Sequence, residues 1–269
     1  MSPFAARLEA AVRDAGAPLC VGLDPDPEQL PAPFASRRVS AEAAQDFCVA
    51  ITESTAEHAA AFKPNLAFFE AYGPDGWSAL AAVCEAVRQS GRLLVLDGKR
   101  GDIGNTGRRY AAALYDRLGG DAATVAPYMG ADSLAPFLEH DGRCAFVLVA
   151  TSNPGAAGVQ VLEVDGSPLY RRVAQGAVEA GEGLPGEVGF VVGATRPALL
   201  ADLRAEHPSV PFLVPGVGAQ GGSAADVLSA NAGGPLLVSA SRSVLYASDG
   251  PDFADAARDA AARLAEALG

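Results

Sequence analysis

Short apolar runs recur along the chain, each stopping at polar, Gly or Pro residues. The first four are PLCVGLD (18–24), AAAFKPN (59–65), RLLVLDGK (92–99) and DAATVAP (121–127). RCAFVLVATS (143–152), EVGFVVGAT (187–195), VPFLVPGVG (210–218) and PLLVSAS (235–241) complete the series. Continuous Val/Leu/Ala runs of this length predict strands buried on both faces, as in a parallel sheet. Ala-rich amphipathic stretches such as SAEAAQDFCVAITESTAEH and GWSALAAVCEAVRQSG lie between them and predict helices, the second stopped by its terminal Gly. The opening MSPFAARLEAAVRDAGAPL carries Arg and Glu throughout and lacks an apolar centre, so it reads as an amphipathic helix and not a signal peptide.

Eight strands alternating with helices, at a mean spacing of about 30 residues, match successive βαβ units. That count predicts an α/β protein, a closed TIM (β/α)8 barrel. An open doubly wound sheet is the alternative, but it usually has fewer strands. No low-complexity linker divides residues 1–269, and barrels of about 250 residues are common as one domain.

The net charge of -12 argues against nucleic acid or an anionic membrane as partner, because both require a basic surface. An anionic small substrate would then need locally placed cations. Cys20, Cys48, Cys84 and Cys144 include no CxxC pair and read as structural thiols of a reducing compartment. With no apolar run long enough to span a bilayer, the expected location is cytoplasmic. His58, His140 and His207 lack ligand spacing, so no metal is expected.

Of 20 cationic side chains only two, Lys63 and Lys99, are lysines. Both fall at the C-terminal ends of predicted strands, in FKPN and LDGKRGD. In a barrel that rim carries the active site. Lysine differs from arginine in being a compact charge whose proton can be given up, so its retention there points to proton chemistry. Asp97 and Lys99, two apart on a strand, project to the same side. Asp102 follows within reach of the same ammonium, and Asp24 and Lys63 end neighbouring strands. Alternating carboxylates and ammoniums would keep one another ionised. A salt-bridge network that only stabilises the rim is the plainer reading, yet buried ion pairs are poor stability devices.

VPGVGAQGG places Gly216, Gly218 and Gly221 in GxGxxG spacing. It follows the seventh strand, and the eighth ends in VSASRS without an acid, so it does not fit a dinucleotide fingerprint. Loops after strands seven and eight of a barrel often hold phosphate. Here backbone N–H groups, Gln220 and a bidentate Arg242 would grip it. ATSNPG (150–155) ends the fifth strand with groups suited to a polar heterocycle or carbonyl, or simply to a turn.

Taken together, these residues resemble the orotidine 5'-phosphate decarboxylases, in particular the family's longer bacterial subgroup. Asp97, Lys99 and Asp102 match the family's DxKxxD signature, continued by Ile103 and Thr106. Asp24 matches the strand-one aspartate and Lys63 the strand-two lysine. SNPG from Ser152 looks like the pyrimidine-facing loop. PGVGAQGG from Pro215, and SRS with Ser241, look like the phosphate loops, matching Gln220 and Arg242. The resemblance implies conversion of orotidine 5'-monophosphate to uridine 5'-monophosphate (UMP) and carbon dioxide, the last step of UMP biosynthesis, without cofactor or metal. It implies Lys99 as proton donor, with Asp97, Asp102 and Lys63 in its charge network. Asp24, Ile103, Thr106, Ser152, Pro215, Gln220, Ser241 and Arg242 would contact substrate. It also implies a homodimer in which Asp102 reaches the neighbouring site. DxKxxD alone is shared with sugar-phosphate decarboxylases such as those of 3-keto-6-phosphogulonate, which use Mg²⁺ and an acid where this chain has Lys63. A catalytically silent nucleotide-binding barrel is the non-enzymatic alternative.

Overall fold

A computed structural model describes residues 2–217 and 221–269. Among these, all eight apolar runs form strands, seven of them shorter than the run because terminal Gly, Pro and polar residues leave the ladder, while the third extends one residue past its run to Arg100. The chain begins with α1 (Phe4–Ala15), β1 (Leu19–Leu23), α2 (Ala41–Thr55), β2 (Ala61–Pro64), α3 (Leu66–Glu70), α4 (Pro74–Gln89) and β3 (Leu93–Arg100). It continues with α5 (Gly104–Ala111), β4 (Ala122–Val125), α6 (Ala135–Leu138), β5 (Cys144–Ala150) and a hairpin of β6 (Glu163–Val164) and β7 (Ser167–Pro168). Then come α7 (Leu169–Gly181), β8 (Glu187–Val192), α8 (Pro197–Glu206), β9 (Phe212–Pro215), α9 (Ala224–Asn231), β10 (Leu236–Ala240), α10 (Arg242–Leu245) and α11 (Phe253–Leu268).

The strands close in the order β1-β10-β9-β8-β5-β4-β3-β2, a parallel barrel with helices outside. The doubly wound alternative is thereby excluded, since an open sheet leaves two unpaired edges. The β6–β7 hairpin, antiparallel and two residues per strand, was not foreseen and is too short to carry a periodic signal.

Strand periodicity divides the core in two. One set of alternate positions, including Leu19, Val21, Phe62, Leu94, Leu96, Val147, Phe212 and Val238, faces the helices. The other set, Cys20, Ala61, Val95, Ala122, Phe146, Val191, Leu213 and Leu237, fills the barrel interior. Helix α1 closes the N-terminal mouth: Phe4 joins the interior cluster, its ring edge-on to Phe146 at 5.8 Å. The Phe4 and Ala5 N–H groups donate to the Glu187 carboxylate, satisfying free donors of the helix start. Followed toward the C-terminal ends, the interior positions turn polar. Cys20 gives way to Asp24, Ala61 to Lys63, Val95 to Asp97, Ala122 to Thr124 and Leu237 to Ser239. The barrel is thus sealed with apolar side chains below and charged above.

Candidate active site

Asp97 is the centre of the polar end, 8% exposed. Lys63 Nζ donates to its Oδ2 at 2.8 Å, and Lys99 Nζ donates to its Oδ1 at 2.6 Å. Thr124 Oγ1 lies 2.9 Å from the same Oδ1 and donates its proton there. Burial alone would raise the Asp97 pKa, but the Lys63 and Lys99 ammoniums outweigh it and hold the carboxyl well below the usual range. Burial likewise disfavours the Lys63 ammonium, and Asp97 with Asp24 reverses this, pushing the lysine above its ordinary value. Both groups are therefore charged throughout the neutral range.

The two lysines arrive by different means. Lys63 lies within β2 with its backbone opposite Gly22 of β1. A Cβ on Gly22 would fall 1.9 Å from Ser241 Oγ, so glycine is needed for the β10–α10 turn to fold over β1. Lys99 does not sit on a regular pleat, contrary to the sequence expectation. Its φ is +46°, and the β3–β4 register shifts between Leu96 and Arg100. Such backbone is costly for a residue with a Cβ. Its N–H, displaced from the ladder, donates to Thr124 Oγ1 at 3.0 Å.

Two further expectations need correction. Asp102 does not approach the Lys99 ammonium: its Oδ1 accepts from the Ile103 N–H at 2.8 Å, and it makes no ion pair among the described residues. Gly104, with φ +53°, is the first residue of α5. Nor do the four charges form a closed alternating set. Asp24 Oδ1 is buried with no hydrogen-bond partner among the described residues, while its backbone is held by Tyr246, whose hydroxyl donates to Asp24 O and accepts from Asp26 N–H, both at 2.7 Å.

One cavity joins Asp24, Lys63 and Asp97 to Pro215, Gly216, Ser241 and Arg242, with Asn65 and Ser239 also on its wall. The structure thus brings together residues predicted for the charge network and for the phosphate loops. Gly218 and Gln220 lie outside the described residues. Ser152 sits after β5 against Gly193, where a Cβ would come within 2.7 Å of the Ser152 N, so the 150–155 loop packs directly on the end of β8. Lys99, Asp102, Ile103, Thr106 and Ser152 do not line this cavity, Lys99 being joined to its wall through its bond to Asp97. Ile103 is 47% exposed and Thr106 is exposed. A larger recess of about 950 Å³ opens beside α1, where Arg7 and Arg143 are engaged by Asp121, Arg92 by Asp14 and Arg88 by Glu85.

Sequence reasoning missed Thr124, Asn65, Ser239 and Tyr246. The first three carried a readable signal, a polar residue at an interior position near the C-terminal end of a strand. Tyr246 carried none, because an aromatic residue after the last strand reads as core. Among the described residues no group of three or more His, Cys, Asp or Glu side chains is placed to hold a metal ion, and no helix is long and apolar enough to cross a membrane.

Comparison with known proteins places this geometry. A family model described as "Orotidine 5'-phosphate decarboxylase / HUMPS family" matches residues 17–257. An orotidine 5'-phosphate decarboxylase of Roseiflexus castenholzii is 48% identical over 254 residues, 93% of this chain and 91% of that protein. One from Polaromonas naphthalenivorans is 44% identical over 272 residues, 98% of this chain and 95% of the relative. The solved structure of Leishmania donovani OMP decarboxylase superposes with a TM-score of 0.84 at 39% identity, covering 99% of this chain and 97% of that one. Leishmania donovani UMP synthase gives 0.87 at 40% identity, covering all of this chain and 56% of its own.

Proposed function

The chain belongs to the orotidine 5'-phosphate decarboxylase / HUMPS family, and on that basis we propose that it is a carboxy-lyase converting orotidine 5'-monophosphate to UMP, with Lys99 as the proton donor. The observation that carries the residue assignment is the Asp97 carboxylate held between the two lysines of the chain, at 2.8 and 2.6 Å. Loss of carbon dioxide leaves an electron pair on ring carbon C6 that no π system accepts. The Lys99 ammonium stabilises that charge as it develops and then transfers a proton to the carbon, forming the C6–H bond of UMP. A fixed charge in a site sealed from below needs little reorganisation, and one well-placed donor contributes about 3–4 kcal/mol. Asp97 lies near the departing carboxylate, where its charge opposes the ground state and holds Lys99 in line.

The remaining polar groups follow the substrate's shape. Asp24, whose Oδ1 has no hydrogen-bond partner among the described residues, and Lys63 take the ribose hydroxyls. Arg242 grips the phosphate, with Ser241, Pro215 and, from the loop beyond, Gln220. Ser152 faces the pyrimidine. Lys63 also separates this reading from a Mg²⁺-dependent sugar-phosphate decarboxylase, because an ammonium engaged with Asp97 stands where that reaction requires a metal-binding acid.

We further propose a homodimer in which Asp102, Ile103 and Thr106 complete the neighbouring copy's site. The support is that Ile103 and Thr106 are exposed and that Asp102 makes no ion pair among the described residues, so these side chains are available to a second copy. Beside them, on the loop after the neighbouring strand, Tyr128 is 93% exposed and Met129 51% exposed, apolar surface that a second copy would cover.

Ultraviolet absorbance of orotidine 5'-monophosphate with purified, EDTA-treated protein tests the reaction. Conversion to UMP is expected. No turnover by protein shown to be folded, with activity on a sugar phosphate restored by Mg²⁺, would overturn it. Tight UMP binding without turnover would instead make the chain a silent binding barrel.

A further inference from the structure

We infer that Thr124 is a positioning residue for Lys99, its hydroxyl setting the direction from which the ammonium meets the substrate. The inference rests on the role proposed above for Lys99. Thr124 is the third residue of β4, lies on the interior face and is 2% exposed. The Lys99 N–H can only donate, so Thr124 Oγ1 accepts at 3.0 Å. A hydroxyl has a single proton, and the Asp97 Oδ1 at 2.9 Å is an ionised acceptor that takes it. The polarity of the chain of bonds is therefore fixed, from the Lys99 amide through Thr124 to Asp97.

That chain closes on itself. Lys99 Nζ also donates to Asp97 Oδ1, at 2.6 Å. The backbone and the ammonium of one lysine are thereby tied to the same two groups, and a long flexible side chain is held at both ends. The hydroxyl is needed for a further reason. At φ +46° the Lys99 N–H has left the β3–β4 ladder, whose register breaks between Leu96 and Arg100. Partly shielded from solvent and out of the ladder, that amide needs another acceptor to hold the conformation. Thr124 Oγ1 supplies the acceptor that the irregular ladder lacks. If packing alone mattered, valine would fill the same volume, as it does next in the strand at Val125.

The test compares wild type with Thr124→Val, which keeps the shape, and Thr124→Ser, which keeps the hydroxyl. Because the chain has only Lys63 and Lys99, labelling with [15N]lysine gives two backbone amide signals, and Lys63 serves as the internal control. In Thr124→Val the Lys99 amide should exchange with solvent at least about tenfold faster while Lys63 is unchanged. Turnover of orotidine 5'-monophosphate should show kcat reduced on the order of 10²-fold, the cost of misplacing a reacting group, with KM nearly constant. Thr124→Ser should restore both readouts. Unchanged Lys99 exchange in Thr124→Val, or a kcat loss in Thr124→Ser as deep as in Thr124→Val, would overturn the inference. Should wild type itself fail to turn over, the proposed reaction fails, and the exchange result still decides whether Thr124 holds Lys99.

Discussion

Replacing Lys63 by Met measures how strongly the charge network is bound together. Methionine preserves the apolar stem and removes the ammonium 2.8 Å from Asp97 Oδ2. At that separation two unit charges attract by about 6 kcal/mol for an effective dielectric constant of roughly 20. Desolvation of both groups, which are 7% and 10% exposed in their side chains, offsets much of this. Removing one partner of a buried pair typically costs about 3–5 kcal/mol. Asp97 retains Lys99 and Thr124, so the lower end applies, about 3 kcal/mol. For a chain of this size that corresponds to a fall in Tm of roughly 6–12 °C.

The assay is thermal and urea unfolding of Lys63→Met, Asp97→Asn and the double variant. Each single change leaves a buried charge short of its partner, and the double removes both, so its loss should be about 2–3 kcal/mol smaller than the sum of the two. The pH dependence has a definite sign. Asp97 has a depressed folded pKa, so its contribution is present above the unfolded value near 4 and is lost as pH falls toward the folded one. Lys63 has a raised folded pKa, so its contribution is present below the unfolded value near 10.4 and is lost as pH climbs through the folded one. The gap between wild type and Lys63→Met should therefore be constant from about pH 5 to about pH 9 and shrink at both extremes. Strictly additive single effects, or a gap that changes through pH 6–8, would refute the account of a buried, fully ionised pair.

Other expectations follow from the same geometry. Lys99→Met should lower turnover by at least about 10⁴-fold, because it removes both a proton donor and a charge, while UMP still binds and stability falls by less than in Lys63→Met, the Lys99 side chain being 52% exposed; near-normal rates would remove Lys99 from the chemistry. Arg242→Ala should raise KM and also lower kcat, since phosphate binding energy is used to lower the barrier; a change in KM alone would confine Arg242 to uniform binding. Mixing inactive Lys99→Ala and Asp102→Ala subunits should regenerate activity, because a mixed dimer contains one intact shared site. Failure to regain it after refolding together would show that Asp102 does not serve a neighbouring copy.

How much of this was legible beforehand can be judged residue by residue. The eight barrel strands were readable because burial on both faces demands uninterrupted apolar side chains, and the loops on the rim demand Gly, Pro or polar ones. Lys63, Asp97, Asp24 and Arg242 were readable because charge at a strand's C-terminal end, with no surface reason to be there, marks the rim of a barrel. What failed were inferences of distance from sequence proximity. Asp102 is three residues from Lys99 yet pairs with its own loop, and Lys99 reaches Asp97 through a left-handed backbone instead of a pleat. Conversely, Thr124 is distant in sequence and neutral, yet it completes the coordination of the carboxylate. A charged residue announces itself because burying it needs a reason; a buried hydroxyl is inexpensive once paired, so its role appears only when its partners are located. The unfinished part of this site is therefore most visible where a charged atom still lacks a partner. Asp24 Oδ1 has none among the described residues and opens on the cavity, which is the ground on which a substrate hydroxyl is proposed as its donor.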